Sequence, residues 1–116
     1  MTEKLFKIPG DQVKRLIPNM GGCFASDRIT VDGMKVGYMY REEPDQDTDS
    51  GWRFFSGDET QEYADNPENF ASYDVNTICN YDPAIIRFLD APYGATLARI
   101  PGSDEFEPAK LEGSEE

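Results

Sequence analysis

Residues 23–40, which read CFASDRITVDGMKVGYMY, predict a β-hairpin and with it the character of the fold. Asp32-Gly33 separates two runs rich in strand-forming residues, and a type I′ turn needs the positive φ angles that Asp and Gly tolerate. In the second run, alternate residues fall on one face of a strand, and these are Met34, Val36, Tyr38 and Tyr40. The sequence therefore predicts that 23–31 and 34–40 pair as antiparallel strands.

A second strand signal follows the polar loop at residues 42–50. Residues 51–56, GWRFFS, form a short aromatic run that ends at a Gly-Asp turn. Trp52 and Phe54 share one face of this strand, which predicts that both side chains lie in the core. Phe55 points the other way, so either both faces of the sheet are covered or Phe55 belongs to a surface patch.

Helix signals surround these strands. Short helices are predicted over residues 10–18, 59–66, 75–81 and 84–89. The last two follow Asp74 and Asp82, which suit the N-cap position, and Pro83 suits the first helical turn. Two further strands are predicted over 93–100 and around Phe106.

The order of these elements is strands first, helices in the middle and strands again, without regular β–α–β alternation. This order is typical of the α+β class. We therefore predict a small single domain over residues 1–107, with an antiparallel sheet, a central hairpin and a few short helices. The composition of residues 108–116 predicts an acidic, disordered tail.

The net charge of −12 is concentrated in the middle of the chain. Residues 42–82 carry twelve acidic residues and one basic residue, Arg53, whereas residues 1–41 carry four acidic and seven basic residues. An acidic surface repels phosphate backbones, which argues against nucleic-acid binding. The same surface attracts a basic protein over about 8 Å in physiological salt. The alternative is that the acidity only keeps the protein soluble.

Residues that carry catalytic or metal-binding chemistry are sparse. The absence of histidine removes Ser–His and Cys–His catalysis, and the glycines form no phosphate-binding motif. Asp45, Asp47 and Asp49 imitate the start of an EF-hand loop. However, Ser50 and Ser56 occupy positions where that loop requires Gly and Glu. We therefore predict no enzyme activity, no metal site and no cofactor.

Cysteine usage and hydropathy bear on the compartment. Cys23 and Cys79 form no CxxC pair, and two cysteines suit free thiols better than a disulfide framework. No apolar run approaches the ~18 residues of a membrane span, and the N-terminus lacks the apolar segment of a secretory signal. We expect a cytoplasmic protein without membrane partners.

Five strings of residues carry a family resemblance. They are SDRIT at 26–30 with DGMKVGYMYR at 32–41, DSGWRFFSGDE at 49–59, and YDVNT at 73–77 with NYDP at 80–83. These strings resemble the bacterial immunity protein 33 family, earlier catalogued as a domain of unknown function. The resemblance runs from Cys23 to Ala98. It implies a role in polymorphic toxin systems, in which the protein binds and neutralises a cognate toxin, and it supplies no active-site motif.

The resemblance gives a possible meaning to the uneven acidity. A toxin that attacks nucleic acids needs a basic cleft, which an acidic face can occupy. We therefore predict a partner-binding surface around the 51–56 strand, formed by Glu42, Glu43, Asp45, Asp47, Asp49, Asp58, Glu59, Glu62 and Phe55. These residues share one face only if the loop and the turn converge. The alternatives are an acidic interaction adaptor, or a carboxylate-based protein that binds a small ligand or divalent cation.

Overall fold

Six strands form one mixed sheet in the computed structural model, which describes residues 5–109. In chain order they are β1 (Gly22–Ser26), β2 (Tyr38–Arg41), β3 (Asp49–Phe55), β4 (Phe70–Asp74), β5 (Thr96–Arg99) and β6 (Phe106–Pro108). Their order across the sheet is β4-β1-β3-β2-β5-β6. Strands β1 and β3 are parallel, and all other neighbours are antiparallel. The sheet and its short helices confirm the α+β class.

Short helices connect the strands. The α-helices are α1 (Asp27–Thr30), α2 (Gln61–Ala64) and α3 (Val75–Tyr81), and the 3-10 helices are Gly10–Gln12, Pro67–Asn69 and Pro83–Phe88. Both predicted caps are confirmed, because Asp74 accepts the Asn76 N–H at 2.9 Å and Asp82 accepts the Ala84 N–H at 3.2 Å. Among the described residues 5–109, no helix is long and apolar enough to cross a membrane.

The predicted hairpin across Asp32-Gly33 is wrong. Ser26 accepts the Arg28 N–H at 3.1 Å, and this cap starts α1 where a strand was predicted. Gly33, with φ of 80°, then closes the helix by donating its N–H to the Ile29 carbonyl at 3.1 Å. A helix C-terminus and a type I′ turn both need a residue with positive φ, so the Asp-Gly signal suited either structure. The hairpin in the sheet is instead the pair β2–β3, joined by residues 42–48.

The core lies on one face of the sheet. Trp52 and Phe54 are fully buried, with ring centroids 5.9 Å apart, which confirms their predicted placement. On β2, Met39 is the residue that pairs with Phe54 and is buried with it. Tyr38 and Tyr40 lie on the opposite face. Regular alternation begins only at Tyr38, so the pattern does not extend back through residues 34–37.

Residues 5–17 form an N-terminal strap, and the helix predicted over 10–18 is reduced to one 3-10 turn. The Asn76 side chain accepts the N–H groups of Leu16 at 2.7 Å and Ile17 at 3.2 Å, and it donates to the Lys14 carbonyl at 2.8 Å. These hydrogen bonds take up backbone groups that a helix over 10–18 would pair with one another. Pro18 contributes as well, since a residue before proline is disfavoured in the helical region.

Strand β6 forms one edge of the sheet. Phe106 is buried there, with its ring centroid 5.2 Å from that of Phe88. Ala109 donates its N–H to the Thr96 carbonyl at 2.8 Å. The predicted acidic tail, 108–116, starts at the end of this strand, and its residues 110–116 lie outside the described part of the chain.

Cys23 and Cys79 are buried free thiols, as predicted. Burial raises the pKa of the Cys23 thiol strongly, and it raises the pKa of Cys79 to about 11. Both groups are therefore protonated at neutral pH, and neither is a nucleophile in the folded protein.

Gly51 lies where a side chain has no room. Its φ is +91°, and a Cβ atom there would lie 2.1 Å from the Glu42 carbonyl oxygen. We expect Gly51→Ala to lower the free energy of unfolding by about 3 kcal/mol, through the left-handed backbone and the clash.

Gly94 provides a matched control for that prediction. Its φ is +96°, but nothing lies within 4 Å of an added Cβ, so Gly94→Ala should show only the backbone cost of about 1–2 kcal/mol. Denaturant unfolding measures both variants. Equal losses would mean that the Glu42 carbonyl moves aside at no cost.

Candidate functional site

An open acidic groove of about 1310 Å³ lies where β1 and β3 begin and β4 ends. Parallel pairing of β1 and β3 places their first residues side by side, and the antiparallel β4 ends beside them. The loop 42–48 forms one wall. Six carboxylate side chains line the acidic groove, those of Glu42, Glu43, Asp45, Asp47, Asp49 and Asp74.

Arg53 supplies the positive charge inside the acidic groove. Its Nε donates to Glu42 at 2.8 Å and its Nη2 donates to Asp49 at 2.9 Å. The guanidinium carbon lies 4.7 Å from the centroid of the Phe24 ring. The hydrogen bond from Arg53 holds the pKa of Asp49 below its usual value. One of the two negative charges of Glu42 and Asp49 is thus neutralised from within the chain.

Three carboxylates of the loop remain available. Glu43, Asp45 and Asp47 are exposed, and none of them forms an ion pair or hydrogen bond with another side chain in residues 5–109. The loop is held at both ends, because Glu42 donates its N–H to the Gly51 carbonyl at 3.0 Å and Gly22 donates its N–H to the Thr48 carbonyl at 2.7 Å. The acidic groove therefore presents three unneutralised charges from a held loop.

The other three predicted acids lie at the far end of β3. Asp58 binds Arg28 with an Nη2–Oδ2 distance of 2.6 Å, while Glu59 accepts the Ser56 and Gly57 N–H groups at 2.8 and 3.0 Å. Glu62 is exposed on α2. A seven-residue strand separates them from the acidic groove, a distance of roughly 20 Å. The structure does not bring the two acidic groups into one site.

Phe55 belongs to a surface patch, one of the two alternatives that the sequence left open. On the sheet face opposite the core, four half-buried rings form what we call the aromatic face: Tyr38, Tyr40, Phe55 and Phe70. The Phe55 centroid lies 5.9 Å from Tyr38, 6.0 Å from Tyr40 and 5.5 Å from Phe70. The aromatic face runs along the same strands that lead to the acidic groove.

Three residues of this region were not identified from the sequence as parts of a site. Arg53 is the single basic residue in 42–82. Its position among twelve acidic residues is the sequence signal for its ion pairs with Glu42 and Asp49. Phe24 is 46% exposed on β1, and its contact with Arg53 depends on the parallel pairing of two strands. Asp74 was interpreted as an N-cap, which it is, and it also lines the acidic groove.

The geometry offers no metal centre. Within the described residues, no group of three or more Cys, Asp or Glu side chains is arranged to hold a metal ion. Asp45, Asp47 and Asp49 therefore do not converge as EF-hand ligands do.

Comparison with known protein families gives a match over most of the chain. The family described as Immunity protein Imm33 domain matches residues 23–109, which is three quarters of the chain. No curated protein and no solved structure matches. The matched residues include all six strands apart from Gly22, together with the loop 42–48, and they leave the N-terminal strap outside.

Proposed function

Because the chain belongs to the Imm33 family of immunity proteins, we propose that it binds a cognate bacterial toxin and neutralises it by occlusion, not by catalysis. The buried free thiols Cys23 and Cys79 suit a reducing compartment, and we place the neutralisation in the cytoplasm. The observation that carries the proposal is the acidic groove, with three carboxylates left unneutralised on a held loop.

The charge of the acidic groove suggests the chemistry of the partner surface. Arg53 offsets only one of the two charges of Glu42 and Asp49, which leaves one negative charge there. That charge and those of the free carboxylates Glu43, Asp45 and Asp47 are available for a partner to neutralise. A toxin with a basic cleft would bring Lys or Arg side chains to them. Opposite charges of this kind accelerate association and make its rate fall with added salt.

We expect the triple variant Glu43→Lys/Asp45→Lys/Asp47→Lys to bind the toxin at least about tenfold more weakly, with a slower association rate. Stability should change little, because exposed substitutions usually alter it by within ~0.5 kcal/mol each. Asp49 is left unchanged, since its loss would release Arg53.

The matched control reverses three exposed acids elsewhere, Asp11, Glu68 and Asp90. Each triple shifts the net charge from −12 to −6, so only the position of the charges differs. Normal binding by this control would assign the effect to the acidic groove.

The experiment begins with proteins that co-purify with the wild-type chain from its source bacterium and are identified by mass spectrometry. Each candidate is then co-expressed with the wild type, the groove triple or the control triple in a host that it kills. Wild type and control should restore growth, and the groove triple should not. Equal rescue by the groove triple would exclude the acidic groove, and no rescue by the wild type would exclude neutralisation.

A further inference from the structure

We propose that the aromatic face and the carboxylate at its edge form an arginine-binding surface, continuous with the acidic groove, that receives arginine side chains of the toxin. This inference rests on the proposed function and extends it, because it names the side chain that the partner must present. It concerns the aromatic face, whereas the charge complementarity proposed above involves only the acidic groove.

The chain already shows how this side of the sheet holds a guanidinium. The Arg53 guanidinium lies over the Phe24 ring, while Glu42 and Asp49 accept hydrogen bonds from its N–H groups. A ring beneath the guanidinium and carboxylates at its edge form the arrangement that favours arginine over lysine. The planar guanidinium stacks on rings and donates a fork of N–H groups, whereas an ammonium is a compact, strongly hydrated charge.

The same arrangement continues along the sheet without an internal arginine. Tyr40 is the direct neighbour of Arg53 in the β2–β3 pair, and its ring stacks on Phe55 with an interplanar angle of 17°. Glu42 uses one carboxylate oxygen for Arg53, and its side chain remains 53% exposed. Glu42 thus binds the residue that pairs with Tyr40 across β2 and β3. Burial raises the pKa of Tyr40, and the Glu42 charge raises it further.

Charge complementarity indicates what occupies the aromatic face. Half-buried rings beside unneutralised carboxylates suit a cationic partner, and a chain of net charge −12 repels a second copy of itself. An arginine of the toxin would place its guanidinium over Tyr40 and Phe55 and its N–H groups on Glu42. Neighbouring arginines would meet Asp45 and Asp47 in the acidic groove.

The test compares octa-arginine with octa-lysine, measured by calorimetric titration into the full chain at about 0.15 M salt. Both peptides carry the same charge, so their difference reports the guanidinium group, and removal of the rings isolates the part that depends on stacking. We expect octa-arginine to bind about tenfold more tightly, because the guanidinium stacks on rings, is weakly hydrated and donates a fork of N–H groups. In Tyr40→Leu/Phe55→Leu, which keeps apolar packing, the preference should fall to about twofold or less.

Tyr93→Leu is the matched control, because Tyr93 is an exposed ring outside the aromatic face. The arginine preference should be unchanged in this variant. Circular dichroism checks the fold, and if the double variant is unfolded, the single Tyr40→Leu replaces it. A wild type that binds both peptides equally, or a preference that survives the leucine substitutions, overturns the inference. So does a dimer of the free protein that Phe55→Leu dissociates.

The growth assay separates this inference from the proposed function. If the wild type rescues growth but shows no arginine preference, only the arginine-binding surface is wrong. If the preference is present and depends on Tyr40 and Phe55, but no co-purified protein is neutralised, the surface is supported and the neutralising role is wrong.

Discussion

Replacing Trp52 with alanine is expected to lower the free energy of unfolding by about 4 kcal/mol, the cost typical of a buried large aromatic. The side chain is fully buried and stacks on Phe54 with a centroid distance of 5.9 Å. Its Nε1 donates to the Leu89 carbonyl at 3.2 Å. Truncation therefore leaves a cavity between the sheet and the 3-10 helix Pro83–Phe88, and it removes one of the two donors to the Leu89 carbonyl, which also accepts from Arg41.

Urea unfolding followed by circular dichroism measures this loss, because Trp52 is the single tryptophan and its fluorescence disappears in the variant. Trp52→Phe separates the two contributions. It retains most of the ring and loses the N–H, so we expect a smaller cost of about 1–2 kcal/mol. Near-native stability of Trp52→Ala would show that the side chain does not support the core.

The second large effect is expected for Asp82→Ala, also about 4 kcal/mol. Asp82 is 1% exposed and forms an ion pair with Arg99. It also accepts the Val36 N–H at 3.0 Å and the Ala84 N–H at 3.2 Å. One carboxylate thus joins the start of a 3-10 helix, the segment before β2 and strand β5. Its removal leaves two N–H groups without their acceptor and takes from the Arg99 guanidinium its buried carboxylate partner.

Asp104 is the matched control, since it binds the same arginine at 3.1 Å but its side chain is 81% exposed. An exposed ion pair contributes about 0–1 kcal/mol, so Asp104→Ala should be nearly neutral. Chemical denaturation of both variants tests the comparison. Similar losses would mean that pairing with Arg99, and not burial of Asp82, determines the effect.

The elements predicted correctly are those that short-range physics determines. Asp74 and Asp82 cap helices through N–H groups two residues away, and such contacts depend only on the local chain. Trp52 and Phe54 are large and apolar at alternate positions of a strand, so both side chains are expected on the buried face of the sheet. The free thiols Cys23 and Cys79 also agree with prediction.

The errors arise where distant residues decide between two local structures. Asp32-Gly33 fits a helix end as well as a hairpin, and the pairing of β1 with β3 and β4 selects the helix end. Asn76 takes the backbone groups of the strap, so residues 13–17 cannot form the predicted helix. Strand β4, with Ala71 and Ser72 at its centre, carries too weak an apolar pattern to be predicted.

In the candidate site as well, the sequence predicts what depends on the local chain and does not predict what depends on strand pairing. Composition identifies the acids of residues 42–49, and the structure gathers them in one groove with Asp74. Composition does not show which carboxylates already pair with Arg53, because the contact between Arg53 and Glu42 depends on the pairing of β2 with β3. Likewise, sequence could not separate Asp58 from the loop acids, since that depends on which end of β3 each occupies.

The strand order also constrains how the protein is made in the cell. Only β2–β3 and β5–β6 pair strands that follow each other along the chain, while β2 must find β5 about sixty residues away, as in the pair Tyr38 and Ala98. Closing such loops costs entropy before any contact compensates for it, so sheets of this kind fold slowly for their size. A ribosome must release residues up to Arg99 before β5 can complete the sheet. Until then β2 is an edge strand whose unpaired backbone groups can pair with another chain, so the growing protein is exposed to aggregation at this edge until β5 arrives.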